Sequence, residues 1–127
     1  MQVTGIGWAG TRTEAYRPMV AFLTTVLGLA VAHGDEDVTA FELPSRERFE
    51  VFSPDEEDHR YFTTGPVVGF VVRDLPAAVA EMERAGVELL GGEVDEAGEG
   101  WRHFRAPDGN VYELKSERTR VFGDRHT

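Results

Sequence analysis

The segment Phe104–Leu114 reads Phe-Arg-Ala-Pro-Asp-Gly-Asn-Val-Tyr-Glu-Leu. Its centre, Pro107–Asn110, consists of residue types that favour turns, and the flanking stretches are rich in aromatic and branched residues that favour strands. The segment therefore predicts two strands, Trp101–Ala106 and Asn110–Lys115, joined by a tight turn. In the second strand Glu113 stands between two apolar residues, so its carboxylate faces the opposite side of the strand from them.

A related pattern lies earlier in the chain at a constant offset. Phe41–Pro44 aligns with Phe104–Pro107, and Arg48–Ser53 aligns with Val111–Ser116, where 107 − 44 = 63 and 113 − 50 = 63. Glu50 therefore corresponds to Glu113. A constant offset over two stretches indicates an internal repeat, which determines how the rest of the chain is interpreted.

The predicted elements follow the same order twice: strand, helix, strand, strand, strand. They are Val3–Gly10, a helix beginning near Ala15 or Tyr16 and ended by Gly28, Leu29–His33, Val38–Leu43 and Arg48–Phe52, and then Val67–Val72, a helix capped by Asp74 and ended by Gly86, Val87–Leu90, Trp101–Ala106 and Asn110–Lys115. The first helix should bury an apolar face of Met19, Val20, Phe22, Leu23, Val26 and Leu27. We predict one domain, 1–127, made of module 3–52, a polar connector 53–66, module 67–116 and a tail at 118–127, with a mobile acidic stretch at Glu93–Gly100.

Composition excludes several classes of function. The chain has 127 residues with 13 Lys+Arg against 23 Asp+Glu, a formal net charge of −10, which disfavours nucleic acid and anionic membranes as partners. The absence of cysteine excludes disulfides, a thiol nucleophile and cysteine-ligated metal. No apolar run is long enough to span a membrane and no secretory signal opens the chain, so a cytoplasmic location is expected.

Two motifs carry a resemblance to a known family: Val26–Leu29 at the end of the first helix, and Phe104–Leu114. With the paired modules, they resemble the vicinal oxygen chelate superfamily, which includes glyoxalase I, extradiol dioxygenases, fosfomycin resistance enzymes and bleomycin resistance proteins. The resemblance implies an α+β fold in which two βαβββ modules form a curled mixed sheet around a cavity that takes small molecules. It also implies a two-fold homodimer.

In metal-dependent members of that superfamily, each module contributes one ligand from its first strand, usually His, and one from its fourth, usually Glu. The fourth-strand positions match Glu50 and Glu113, whereas the first-strand positions fall at Gly5 and Val67. Neither glycine nor valine has a side chain that can bind a metal ion. We therefore predict no metal site and no cofactor, with a weakly held divalent ion such as Mg²⁺ or Mn²⁺ left open.

The candidate site follows from strand alternation and the resemblance. The candidate acid–base residues are Glu113, Glu50 and His103, and the candidate ligand-contacting residues are Trp101, Val67, Gly69, Gly5, Gly7 and Phe52. Placing Gly5 and Gly7 in the cavity assumes that Ile6 and Trp8 pack under the first helix. A surface pair of Arg48 with Glu50 is the alternative for that carboxylate. The other histidines, His33, His59 and His126, are expected to be solvated.

Two functions remain open at this point. One is a small-molecule binding protein without tight metal, taking a cationic or aromatic organic ligand. The other is a lyase, isomerase or cyclase that uses Glu113, Glu50 or His103 as an acid–base group.

Overall fold

The computed structural model describes residues 1–117, so the predicted tail at 118–127, with His126, lies outside the described residues. The elements are β1 (Val3–Arg12), α1 (Tyr16–Thr25), β2 (Ala30–Gly34), β3 (Val38–Glu42), β4 (Arg48–Phe52), a short 3-10 helix (Glu57–His59), β5 (Val67–Val72), α2 (Leu75–Arg84), β6 (Glu88–Val94), β7 (Gly100–Arg105) and β8 (Val111–Ser116). The predicted order of strand, helix and three strands, repeated once, is confirmed.

The chain divides into two compact units. We call Gly7–Val67 the first module, and Met1–Ile6 together with the chain from Val68 the second module. The first residues of β1 thus belong to the second module. The connector 53–66, which the sequence predicted as a separate segment, is part of the first module.

In the first module the strand order is β2-β3-β4-β1, with β1 parallel to β4 and the other pairs antiparallel. Helix α1 begins after Ala15, as predicted. Its core cluster unites Tyr16 and Leu23 with Phe41 and Val51 of the sheet. This packing fixes one side of the sheet to α1 and leaves Glu50 pointing to the other side.

The apolar face predicted for α1 is only partly buried. Leu23 is 4% exposed, whereas Phe22, Val26 and Leu27 are 46%, 66% and 55% exposed. Phe22 lies within the helix, Val26 is its C-cap and Leu27 follows directly, so the exposed part of the predicted face lies towards the C-terminal end of the helix.

In the second module the strand order is β5-β8-β7-β6, with β5 parallel to β8 and the other pairs antiparallel. Asp74 caps α2 as predicted: its Oδ1 accepts a hydrogen bond from the backbone N–H of Ala77 at 3.1 Å. Leu75 and Ala78 of α2 pack on Leu114 of β8. Because Leu114 faces the helix, its neighbour Glu113 faces the opposite side.

The acidic stretch after β6 differs from the prediction. Strand β6 continues to Val94, so the expected strand Val87–Leu90 was too short. Beyond it, Asp95 Oδ1 accepts hydrogen bonds from the backbone N–H groups of Ala97 and Glu99, both at 2.9 Å, which orders the turn into β7.

None of the helices within residues 1–117 combines the length and the apolar character that a transmembrane segment requires.

Candidate functional site

The second module brings together two of the predicted acid–base residues. His103 on β7 lies directly opposite Glu113 on β8, and His103 Nε2 is 3.0 Å from Glu113 Oε1. Both side chains are 0% exposed. A buried carboxylate needs a compensating donor, and the imidazole supplies one.

Trp101 extends this pair along β7. It lies two residues before His103 on the same face, its ring centroid is 4.6 Å from that of His103, and it is 6% exposed. On the other side of β8, Glu113 is aligned with Gly69 of β5. Because glycine has no side chain, none projects from this position towards the carboxylate. Val67, at the start of β5, is 1% exposed. The predicted Trp101, His103 and Glu113 thus form one contiguous group, which we call the second-module site.

In the first module, the equivalent carboxylate has a different hydrogen-bond partner. Glu50 is 0% exposed, and its Oε1 accepts a hydrogen bond from the indole N–H of Trp8 at 2.6 Å. The residue opposite Glu50 on β3 is Ala40, which corresponds to His103 at the repeat offset, 103 − 40 = 63. A buried Glu50 also contradicts the alternative of an exposed Arg48–Glu50 surface pair.

The alternation predicted for β1 is wrong. Trp8 does not pack under α1 but lies on the Glu50 face, whereas Ile6, its supposed companion, is 58% exposed. The register shows why: Gly10 of β1 pairs with Glu50, as Gly69 of β5 pairs with Glu113. The first-strand position that corresponds to Val67 is therefore Trp8, two residues before Gly10, and not Gly5.

With this correction, the reason for predicting that Gly5 and Gly7 contact a ligand no longer holds. Strand alternation places both on the side opposite Trp8 and Gly10. The residue that the Glu50 face requires to be small is Gly10, since a Cβ there would lie 2.5 Å from Cη2 of the Trp8 ring. Contact of Gly5 or Gly7 with a ligand stays a prediction.

A cluster of rings covers the same face of the first module. His59 stacks on Phe52 with ring centroids 3.8 Å apart, and Phe62 contacts both of these rings edge-on. His59 is 0% exposed, so its predicted solvation is wrong. The sequence signal that identifies this cluster is the aromatic pair Tyr61–Phe62 inside an otherwise acidic connector.

Glu56 holds His59 in place. Its Oε1 lies 2.6 Å from His59 Nδ1 and accepts the backbone N–H of the same residue at 3.0 Å. Burial by itself raises the pKa of the Glu56 carboxyl, but the hydrogen bonds and the charge of His59 outweigh burial and bring the pKa below its ordinary value.

The residues present do not fit a transition-metal site of the kind that the predicted family resemblance implies. Trp8 and Val67 occupy the first-strand positions, and neither an indole nor an isopropyl group coordinates Zn²⁺ or Fe²⁺. His103 and Glu113 form only a pair of donors. Within residues 1–117, no three His, Cys, Asp or Glu side chains are grouped so that they could hold a metal ion.

Comparison with known proteins identifies a family whose model matches most of the chain. Residues 5–114 match the model of the Glyoxalase/Bleomycin resistance protein/Dioxygenase superfamily. A comparison with curated proteins finds no significant match.

Solved structures show the same fold. A methylmalonyl-CoA epimerase from Mycobacterium tuberculosis is similar with a TM-score of 0.67 at 18% identity, covering 92% of this chain and 90% of that one. A Streptomyces coelicolor methylmalonyl-CoA epimerase variant bound to 2-nitronate-propionyl-CoA gives 0.65 at 18% identity, over 93% and 100%. A Mn(II)-bound glyoxalase from Novosphingobium aromaticivorans gives 0.69 at 20% identity, covering 97% of this chain and 44% of that one. The predicted α+β class with two βαβββ modules is confirmed.

Proposed function

Because the chain belongs to the glyoxalase/bleomycin resistance protein/dioxygenase superfamily, we propose that it binds a small organic molecule at the second-module site. The observation that carries this proposal is the buried contact of 3.0 Å between His103 and Glu113 beside the ring of Trp101. Ligand sites in proteins typically combine aromatic walls with a few buried polar groups that fix orientation. Trp101, His103 and Glu113 supply both kinds of group on one face.

The chemistry of the site favours a flat ligand with positive charge. Trp101, which is the most exposed of the three side chains at 6%, offers a ring for stacking. The carboxylate of Glu113 is an anchor for a cationic or hydrogen-bond-donating group, and an indole face also attracts cations. The net charge of −10 adds a long-range attraction for such a ligand.

The proposed binding does not use a transition metal. Trp8 and Val67 stand where metal-dependent members of the family carry first-strand ligands, which supports a protein that retains the family fold for binding alone. Elemental analysis of the purified protein should find no stoichiometric Zn²⁺, Fe²⁺ or Ni²⁺. About one such ion per chain would contradict this part of the proposal.

A second candidate is an isomerase that moves a proton. The observation that favours it is the same His103–Glu113 pair, since a carboxylate with a titratable partner can remove a proton from a carbon acid and return it. Fold similarity to methylmalonyl-CoA epimerases is consistent with this chemistry and does not establish it.

A thermal-shift panel separates the two candidates. The panel contains bleomycin, planar heteroaromatic cations and methylmalonyl-CoA. Binding of a planar cation, weakened in Glu113→Gln, supports the binding protein. Deuterium incorporation into methylmalonyl-CoA in D₂O, followed by NMR and abolished in Glu113→Gln, would instead establish the isomerase. No shift with any planar cation would contradict the proposed ligand class.

A further inference from the structure

We propose that Lys115 is a further ligand-binding residue of the second-module site, where its ammonium group takes an anionic oxygen of the ligand. The ligand class then narrows from a planar cation to a planar zwitterion, which carries a positive group at one end and a carboxylate at the other. This ligand class rests on the proposed function above, whereas the position of Lys115 rests on strands β7 and β8 alone.

Strand geometry places Lys115 on the same face as Glu113. The two residues are separated on β8 by Leu114, which packs with the core residues of α2. Glu113 and Lys115 therefore point to the same side, away from the helix. Across the strand pair, Lys115 lies opposite Trp101 just as Glu113 lies opposite His103. The four side chains thus project as two adjacent cross-strand pairs from one side of these strands.

Lys115 is the most accessible of these four side chains. His103 and Glu113 are 0% exposed and Trp101 is 6% exposed, whereas Lys115 is half-buried. Its Nζ donates to the backbone carbonyl oxygen of Ser116 at 3.2 Å, which keeps the ammonium group beside β8. A partly desolvated ammonium group attracts an anion more strongly than one surrounded by water. Lys115 is therefore suited to bind the end of a ligand that remains closest to solvent.

The sequence sets Lys115 apart from the other cationic residues. It is the only lysine in the chain, so the other 13 − 1 = 12 cationic residues are arginines. The equivalent position in the first module, 115 − 63 = 52, is the apolar Phe52. Lysine carries a compact charge on a flexible stem and can meet a single oxygen without the fixed fork geometry of arginine. A single lysine at this position favours a role in binding over a contribution to general surface charge.

The spacing of the two charged residues sets the size of the ligand. A strand rises by about 3.4 Å per residue, so the Cα atoms of Glu113 and Lys115 lie about 7 Å apart. A six-membered ring with charged groups at opposite ends matches this span, and the ring of Trp101 offers a surface for stacking. The carboxylate of Glu113 takes the cationic end, and the ammonium group of Lys115 takes the anionic end.

Two probes of the same shape and different charge test the assignment. 1-Methylpyridinium-4-carboxylate carries both charges, and 1-methylpyridinium-4-carboxamide carries only the positive one. In titration calorimetry we expect the unmodified chain to bind the carboxylate about tenfold or more tightly than the carboxamide. Lys115→Met removes the charge and keeps the length of the side chain. It should abolish this preference and leave the affinity for the carboxamide within about twofold.

Three further variants serve as controls. Arg84→Met should keep the preference, because Arg84 is an exposed cation of α2, on the other side of the sheet. Lys115→Arg keeps the charge and should restore the preference that Lys115→Met lacks. If Lys115→Met does not fold, Lys115→Gln is the second neutral variant and should lose the preference likewise.

The possible results separate this inference from the proposed function. Equal affinity for the two probes in the unmodified chain, or a preference that persists in a folded neutral variant at Lys115, would overturn the role of Lys115 alone. Carboxamide binding that is not weakened in Glu113→Gln would overturn the proposed function, whereas a preference lost in Lys115→Met would still establish the role of Lys115. Absence of binding by both probes would overturn both.

Discussion

The indole N–H of Trp8 donates to the carboxylate of Glu50 at 2.6 Å, with both side chains buried. In the second module the equivalent carboxylate, Glu113, pairs instead with His103 at 3.0 Å. Each module thus contains one buried glutamate at the equivalent position, and the side chains that contact the two carboxylates differ. An indole N–H can only donate a hydrogen bond, whereas an imidazole nitrogen can donate or accept one according to its tautomer, so the two carboxylates have chemically different partners.

Substitution of Gly10 tests the corrected alternation of β1. In Gly10→Ala the new methyl group would lie 2.5 Å from the Trp8 ring, so we expect a loss of about 1–3 kcal/mol in the free energy of unfolding. Gly5→Ala is the matched control, because no atom lies within 4 Å of a Cβ there. Urea unfolding that shows Gly5→Ala to be the more destabilising of the two would contradict the alternation described here.

The Trp8–Glu50 hydrogen bond can be measured by a double-mutant cycle. Trp8→Phe leaves the buried carboxylate of Glu50 without its indole donor, so the free energy of unfolding should fall by about 1–3 kcal/mol beyond the loss of ring packing. In a Glu50→Leu background the same substitution should cost less, because no carboxylate remains to be satisfied. Equal costs in both backgrounds would mean that the two residues do not interact energetically.

Acid should weaken the connector through Glu56. Because His59 lowers the pKa of the Glu56 carboxyl in the folded state, the ionised group contributes stability above its ordinary pKa of 4.5, and this contribution is lost as the pH falls through the lower folded value. We expect Glu56→Gln to be less stable than the unmodified chain at pH 5 and the difference to shrink towards about pH 3. Glu57→Gln, an exposed neighbour, is the control. A difference that grows on acidification would reverse the assigned sign.

Assembly into a two-fold dimer remains a prediction. Several apolar side chains of the first module are exposed, among them Val26 at 66%, Leu27 at 55% and Val31 at 49%, and such groups are commonly covered in an assembly. Light scattering should give twice the chain mass of 14.1 kDa at micromolar concentration. A mass of one chain under those conditions would exclude the dimer.

Much of the fold could be predicted from local signals. Asp74, followed by Leu75 and Pro76, is a typical start of a helix, and α2 begins there. Strands β4 and β5 have the bounds that the sequence predicted. These elements are determined by residues close in sequence, where capping and alternation act directly. The repeat offset also identified Glu50 and Glu113 as equivalent.

The interior of the first module could not be predicted in the same way. In β1 the large residues Ile6 and Trp8 alternate with small ones, but alternation does not show which side faces the helix, and only the parallel pairing of Gly10 with Glu50 reveals which side Trp8 faces. His59 lies in a polar stretch, and its burial depends on Phe52 and Arg12, which come from other elements. A local sequence pattern does not show contacts between residues that lie far apart in the chain, so the sequence did not predict this cluster.

The most direct test of the account compares two isosteric substitutions at equivalent carboxylates. With the planar cation that raises the melting temperature most in the thermal-shift panel, titration calorimetry measures Kd for the unmodified chain, Glu113→Gln and Glu50→Gln. We expect Kd to rise about tenfold to a hundredfold in Glu113→Gln, through loss of a charge-assisted contact, and to stay within about twofold in Glu50→Gln. Unchanged affinity in a folded Glu113→Gln protein, or an equal loss in Glu50→Gln, would contradict a ligand site built on Glu113.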